Sequence, residues 1–273
     1  MIGAVIVGAG LFGSIIAATL RQLGLQVVVV DDGRPASGSL PAACLMKPSW
    51  FSSLGSQVHV PALKLLDQLY GVHELRFRVG LGHATVNWCD PAKILQPADK
   101  QATVRRIVAA GKKHWDVWLK EDEEPLRTPL VILAAGIWST LLAPVDGGLR
   151  GLAGMAFLWP KKQIDAPFVK LWAPYRQLVA FNRGDGLWVG DGTAIKADNW
   201  RQSHELSSYQ RCAKAVELIN TSPTQLFGIR PYTKYKPCYL RQVKPNFWVA
   251  TGGAKNGTIA AGWCAHEIAR KMV

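Results

Sequence analysis

The chain has 273 residues, 49% of them hydrophobic and 19% charged, a balance that buries a sizeable core and excludes a disordered polymer. Its five cysteines, Cys44, Cys89, Cys212, Cys238 and Cys264, lack CxxC spacing and its six histidines lack ligand spacing, which argues against a disulfide framework and against any metal site. The net charge of +13 is lopsided, since residues 1–149 carry 14 Lys and Arg against 12 Asp and Glu, while residues 150–273 carry 18 against 7. An excess of this kind suggests an anionic partner for the second half, nucleic acid or a membrane surface, the alternative being a solvated basic surface.

In chain order, Ile2–Val7 is a short β-branched run that reads as a buried parallel strand. Gly8-Ala9-Gly10-Leu11-Phe12-Gly13 follows. A helix over Ser14–Leu23, closed by Gly24, leads into a second strand, Leu25–Val30, which ends in Asp31 and Asp32. This β-α-β setting makes the GxGxxG pattern a dinucleotide-binding fingerprint. Gly8 permits the tight turn, Gly10 lets a pyrophosphate approach the backbone, and Gly13 lets helix and strand pack closely. The helix N-terminus then turns its N–H groups towards phosphates. Asp31, eighteen residues after Gly13, is placed to accept hydrogen bonds from ribose hydroxyls. The first twenty residues thus hold a nucleotide fingerprint rather than a signal peptide. No other stretch approaches the roughly 20 apolar residues of a membrane span, so a cytoplasmic protein is expected.

After Asp32 the chain runs through small residues to Pro48 instead of entering a helix, which suits close backbone approach along an extended cofactor. A strand from Leu130 ends in Ala134-Ala135-Gly136-Ile137-Trp138-Ser139. Gly151–Leu158, Phe168–Trp172, Leu178–Phe181 and Leu187–Gly190 read as an antiparallel sheet, with Gly184-Asp185-Gly186 as the turn between the last two strands. A helix is expected over His204–Asn220, and Trp172 and Tyr175 are candidate surface aromatics. Near the C-terminus come Gly228-Ile229-Arg230-Pro231 and Ala250-Thr251-Gly252-Gly253-Ala254-Lys255-Asn256-Gly257.

These four segments, in this order from Ile2 to about Ala269, resemble the FAD-dependent D-amino-acid oxidase superfamily, most nearly its glycine and sarcosine oxidase branch. The resemblance implies an α/β fold. A Rossmann-like FAD-binding domain would be assembled from residues 1–48, 83–150 and 226–273, beside a smaller antiparallel-sheet substrate domain from 49–82 and 151–225. It implies non-covalent FAD, with Gly8, Gly10, Leu11, Phe12, Gly13, Asp31 and Asp32 at the adenosine and phosphate end. Ser39, Ala43, Cys44, Leu45 and Met46 would run along the flavin, and Val104 would lie on the strand that meets the adenine. Ala135, Gly136 and Trp138 would pass the pyrophosphate, while Gly253, Asn256, Gly257 and Thr258 would surround the pyrimidine edge. Arg230 would clamp a substrate carboxylate through its planar fork. Lys255 stands where relatives often have Arg and would place a positive charge near the flavin or substrate.

Relatives run longer, and the missing material falls between Pro48 and Gly82, which implies a reduced cap and an open site. The segment Arg230–Lys244 has no acidic residue and interleaves Tyr232, Tyr235 and Tyr239 with cations. Lys234, Tyr235, Lys236, Arg241 and Lys244 are therefore candidate nucleic-acid contacts, with tyrosine faces for stacking on bases; the alternative is core tyrosines with a solvated rim. The expected activity is FAD-dependent oxidation of an N-substituted glycine carried on a nucleic-acid base, releasing glyoxylate and a shortened amine. In this the chain resembles the flavin domain of tRNA wobble-uridine modification enzymes and flavoproteins of bacteriophage thymine hypermodification. Alternatives are a small-molecule glycine, sarcosine or D-amino-acid oxidase, and a flavoprotein that modifies a partner protein's side chain.

Overall fold

Ala4–Val7, Val131–Leu133 and Phe247–Thr251 are continuous apolar runs because both of their faces are covered. In the computed structural model, which describes residues 2–46, 55–173 and 176–272, they sit at the centre of a six-stranded sheet. Its order is Tyr239–Lys244, Phe247–Thr251, Val131–Leu133, Ala4–Val7, Val27–Asp31 and Lys100–Gln101. All neighbours are parallel except the first two, which form a hairpin. Successive side chains alternate between two cores. Ile6, Val29, Ile132 and Trp248 pack on the helices Leu11–Gln22, Ser56–Tyr70 and Gly257–Arg270. Val5, Val7, Leu133 and Val249 pack on Trp115 and Val117. Those two belong to a three-stranded antiparallel sheet, Val104–Ala110, His114–Leu119 and Leu126–Thr128.

A nine-stranded sheet forms the second unit, in the order Ile195–Lys196, Arg150–Pro160, Gly186–Gly190, Arg176–Arg183, Phe168–Ala173, His73–Val79, Gly82–Trp88 and Leu45–Met46. Thr224–Tyr232 pairs antiparallel with Arg150–Pro160 over nine residues. The sheet is antiparallel except where Phe168–Ala173 runs parallel to His73–Val79. As expected, Gly184-Asp185 makes the two-residue loop of a hairpin, Arg183 pairing with Gly186. The helix Gln202–Ala215 covers one face, with Cys212 and Ala213 against Phe157, Trp159 and Leu187.

Several expectations shift. The first helix begins at Leu11, because Ser39 Oγ accepts from the Leu11 N–H at 2.9 Å and caps it from a distant loop. The helix expected to reach Asn220 ends at Ala215, where Glu217 enters the left-handed region and the Leu218 N–H closes onto the Ala213 carbonyl. Residues 83–88 and 226–232, expected in the cofactor domain, lie in strands of the nine-stranded sheet, where their backbone groups find partners. Ser56–Tyr70, expected in the substrate domain, packs into the helical layer of the six-stranded sheet through Val58, Ala62 and Leu66. Residues 47–54, including the boundary at Pro48, lie outside the described residues, as do Tyr175 and the side chain of Trp172. Among the described residues no helix is long and apolar enough to cross a membrane.

Candidate functional site

A cavity of about 580 Å³ runs between the two large sheets, from the Gly8–Gly13 turn to the loop before the last helix. The turn is shaped by two crossings of chain. A Cβ on Gly8, which has φ +110°, would come within 2.5 Å of the Ala134 carbonyl oxygen. A Cβ on Gly13 would lie 1.7 Å from the Gly8 oxygen. Gly13 itself therefore does not line the cavity but holds helix against strand, whereas Gly8, Gly10, Leu11 and Phe12 do line it. Asp31 also lines the cavity, although its Oδ2 accepts from the Ala9 N–H and its Oδ1 from the Gly33 N–H, each at 2.7 Å. The carboxylate expected to hold ribose thus already orders the surrounding turn. Asp32 pairs with Arg34 at 2.6 Å, and that guanidinium sits 5.5 Å from the ring of Trp138.

Further along, Ser39, Ala43, Cys44, Leu45, Val104, Ala135, Gly136 and Trp138 line the same cavity. Met46 does not. Strand alternation turns it away from Leu45 into the helical core, where it is fully buried. Burial pushes the Cys44 thiol up to about 12, against an opposing hydrogen bond with Thr258, so the cavity faces a thiol rather than a thiolate nucleophile. At the far end Gly253, Lys255, Gly257 and Thr258 line the cavity. Asn256 lies behind them, with its Oδ1 buried and unpartnered. The helix Gly257–Arg270 starts at this point, so its positive end meets the cavity. The glycine cradle and the helix N-terminus that meets the cavity at Gly257 fit an extended dinucleotide.

Arg230 lines the cavity from the strand Thr224–Tyr232. Its Nη2 donates to the Thr193 carbonyl at 2.6 Å. Burial draws its pKa down, with the charge of Asp191 acting in the opposite direction. Among the described residues it is in none of the carboxylate ion pairs. Met155, Gln177, Val179, Trp188 and Gly190 also line the cavity, on the antiparallel sheet that the sequence assigned to the substrate wall without singling out these side chains. The Trp188 indole lies over Gly190, where a Cβ would meet its Cη2 at 2.5 Å, and its Nε1 is buried without a partner. Two-residue spacing does place Trp188 and Gly190 on one face of a strand, but not which face meets the cavity.

The candidate nucleic-acid residues lie outside the cavity. Lys234, Lys236, Arg241 and Lys244 are exposed. The expected stacking faces are mostly covered, because the strand Tyr239–Lys244 pairs with Phe247–Thr251 and buries Tyr239 at 2% exposure. Tyr235 is half-buried in an edge contact with Tyr239, and the cations of Lys234 and Arg241 lie 5.6 and 5.5 Å from its ring. Tyr232 is exposed.

A family model described as FAD dependent oxidoreductase matches residues 99–271, and one described as NAD(P)-binding Rossmann-like domain matches residues 6–42. No curated protein matches the chain. Solved structures similar in fold include iminodiacetate oxidase from Chelativorans sp. BNC1, 16% identical over 97% of this chain and 94% of that one, with a TM-score of 0.71. Glycine oxidase from Bacillus cereus ATCC 14579 is 15% identical over 98% and 96%, with a TM-score of 0.70. L-proline dehydrogenase from P. horikoshii is 12% identical over 99% and 93%, with a TM-score of 0.72.

Proposed function

Because the chain belongs to the FAD dependent oxidoreductase family, we propose that it oxidises a carbon–nitrogen bond in an amine that also carries a carboxylate. The observation that carries this reading is Arg230, a guanidinium in the cavity wall to which, among the described residues, a backbone carbonyl and no carboxylate is bonded. A half-buried cation with no carboxylate bonded to it carries a desolvation cost. A substrate carboxylate removes that cost, and the planar fork favours two-point binding.

FAD, when bound in the cavity, supplies a two-electron acceptor for hydride from the carbon next to nitrogen. The chain's own residues do the rest. Gly8 and Gly10 leave room for phosphates, and Gly257 and Thr258 at the last helix bring a partial positive charge to the other end. Arg230 fixes the carboxylate and hence the orientation of the carbon beside it. Met155, Val179 and Trp188 keep that carbon in an apolar enclosure, where a neutral amine is favoured over an ammonium.

The finer reading is an N-substituted glycine on a nucleic-acid base, whose oxidised imine would hydrolyse to glyoxylate and a shortened amine. It is supported by the excess of 18 basic over 7 acidic residues in 150–273 and by the exposed Lys234, Lys236, Arg241 and Lys244 in the segment that follows Arg230. A free amino acid is the second reading, favoured by the covered tyrosines and by the fold shared with glycine oxidase and iminodiacetate oxidase. Anaerobic titration of the purified holoprotein, followed by visible absorbance, separates the two. Bleaching by a nucleic acid bearing a glycine-modified base, but not by glycine, sarcosine or iminodiacetate, supports the carrier. Bleaching by the free amino acids alone supports the second reading, and a protein unable to bind FAD overturns both.

A further inference from the structure

Arg230 shares its end of the cavity with an uncharged polar side chain, Gln177. The strand Arg176–Arg183 alternates in the usual way: Leu178 is buried in the cluster under the helix Gln202–Ala215, so Gln177 and Val179 take the opposite face, and both line the cavity. The Gln177 side chain is exposed there. Its main chain meets the turn that leaves the strand Gly186–Gly190, because a Cβ on Gly192 would sit 3.0 Å from the Gln177 carbonyl oxygen. One residue further on, the Thr193 carbonyl accepts from Arg230 Nη2 at 2.6 Å. Guanidinium and amide therefore flank one turn, roughly 5–10 Å apart, a separation of one to two strand spacings.

The ground between them is built of glycine. Gly154, Gly190 and Gly192 all line the cavity. A Cβ on Gly154 would lie 2.5 Å from both Arg230 Nη2 and the Thr193 oxygen, so a bare Cα there lets the guanidinium cross the sheet. At Gly190 the same role is plain, since the Trp188 ring already occupies the place of a Cβ. Thr193 adds no side chain to this space: it is 2% exposed, and its hydroxyl donates to the Asp191 carboxylate at 2.8 Å. Val179 and the carbon ring of Trp188 are apolar neighbours. Across this floor from Arg230, the Gln177 amide brings two N–H donors and a carbonyl acceptor.

We propose that Gln177 is a specificity-determining residue that reads the group carried on the substrate nitrogen, favouring a substituent that ends in a hydrogen-bonding group over one that ends in hydrocarbon. The inference rests on the reading of Arg230 as the carboxylate clamp. With the carboxylate on Arg230, the bond to be oxidised lies over the glycine floor and the nitrogen substituent runs towards Gln177. A hydroxyl or carboxylate at its end exchanges water for the amide. A hydrocarbon end of the same size strips water from that amide and returns no bond, which is how a site built to hydrogen-bond its substrate rejects an apolar analogue. Because Gln177 is exposed, solvent replaces part of the lost bond, and the discrimination is modest, about fivefold.

The experiment is anaerobic reduction of the FAD-loaded protein by three amines, followed through the flavin absorbance at concentrations below saturation. N-hydroxyethylglycine and N-propylglycine differ by a hydroxyl in place of a methyl, and iminodiacetate carries a second carboxylate. The parent is expected to react with the hydroxyethyl compound about fivefold faster than with the propyl compound, and Gln177→Leu to bring that ratio to about one. Gln177→Glu sets a like charge against the second carboxylate. It is expected to slow iminodiacetate about tenfold while N-hydroxyethylglycine stays within about threefold, which preserves the test if Gln177→Leu does not fold. A hydroxyethyl-to-propyl ratio that Gln177→Leu leaves unchanged, or parent-like reduction by iminodiacetate in Gln177→Glu, overturns the proposal. Arg230→Gln is expected to slow all three amines alike; if it does so while the Gln177 variants leave every ratio unmoved, the clamp stands and the role of Gln177 falls alone. A parent whose flavin none of the three amines reduces overturns the clamp and this proposal together.

Discussion

Arg230 and Gly13 show two ways in which one position decides the site. Arg230→Lys keeps the charge but loses both the fork and the short contact to Thr193. The expected result is a fall of about a hundredfold in kcat/KM, carried mainly by KM, with Arg230→Gln worse; steady-state kinetics on the preferred amine checks it. Gly13→Ala acts through space alone, because its Cβ would lie 1.7 Å from the Gly8 oxygen. Forcing that crossing apart is expected to cost about 1–3 kcal/mol and to lower the flavin-to-protein absorbance ratio after purification. A fully flavinylated, parent-like Gly13→Ala would contradict the geometry. Both residues were legible in the sequence as motif members, Gly13 through the GxGxxG pattern and Arg230 through the Gly228-Ile229-Arg230-Pro231 segment. Met46 was misread because a motif gives proximity along the chain, whereas the alternation of a strand decides which neighbour faces the cavity.

The helix Ser56–Tyr70 is the element that sequence reading left as a trimmed cap. Its signal is present: Val58, Ala62 and Leu66 recur every four residues and are all buried. Pro61, the sixth residue of the helix, with glycines at both ends, reads as interruption, because beyond the first turn it removes one N–H from the helical ladder. The helix packs where the last helix offers Gly262, whose Cβ would be 3.1 Å from the Ala62 carbonyl oxygen and 3.2 Å from Leu66 Cδ1. Leu66→Ala is therefore expected to destabilise by about 3 kcal/mol, read as a lower urea midpoint at unchanged slope. The parallel strands and the hairpin at Gly184-Asp185 were legible because their patterns are local. The pairing of Thr224–Tyr232 with Arg150–Pro160 was not, because register between distant segments is set by tertiary contacts.

For the whole molecule, buried thiols set an alkaline limit. Burial pushes Cys44 and Cys89 up to about 12, and Cys212 and Cys264 also rise. In the unfolded chain each ionises near its ordinary 9.0, so above that pH the unfolded state binds fewer protons than the folded one. The stability these groups contribute is present in full below about pH 9 and is lost as pH rises towards about 12. Urea midpoints under reducing conditions should fall over that window, less steeply in Cys89→Ala; a flat profile would contradict the assignment. The charge asymmetry of the two halves was legible from counting alone, whereas the covering of Tyr235 and Tyr239 depends on how an edge hairpin packs. The strand that carries Arg230 has one more property. Besides its long pairing with Arg150–Pro160, its Ile229 N–H donates to the Ala36 carbonyl at 2.9 Å, and Tyr232 bridges to Gly253. The spacing between Arg230 and the Gly253 loop is therefore written in main chain, which no side-chain substitution erases. Descendants of such a chain can exchange Gln177, Met155 or Trp188 and take up a new molecule, while Arg230 keeps its place against that loop.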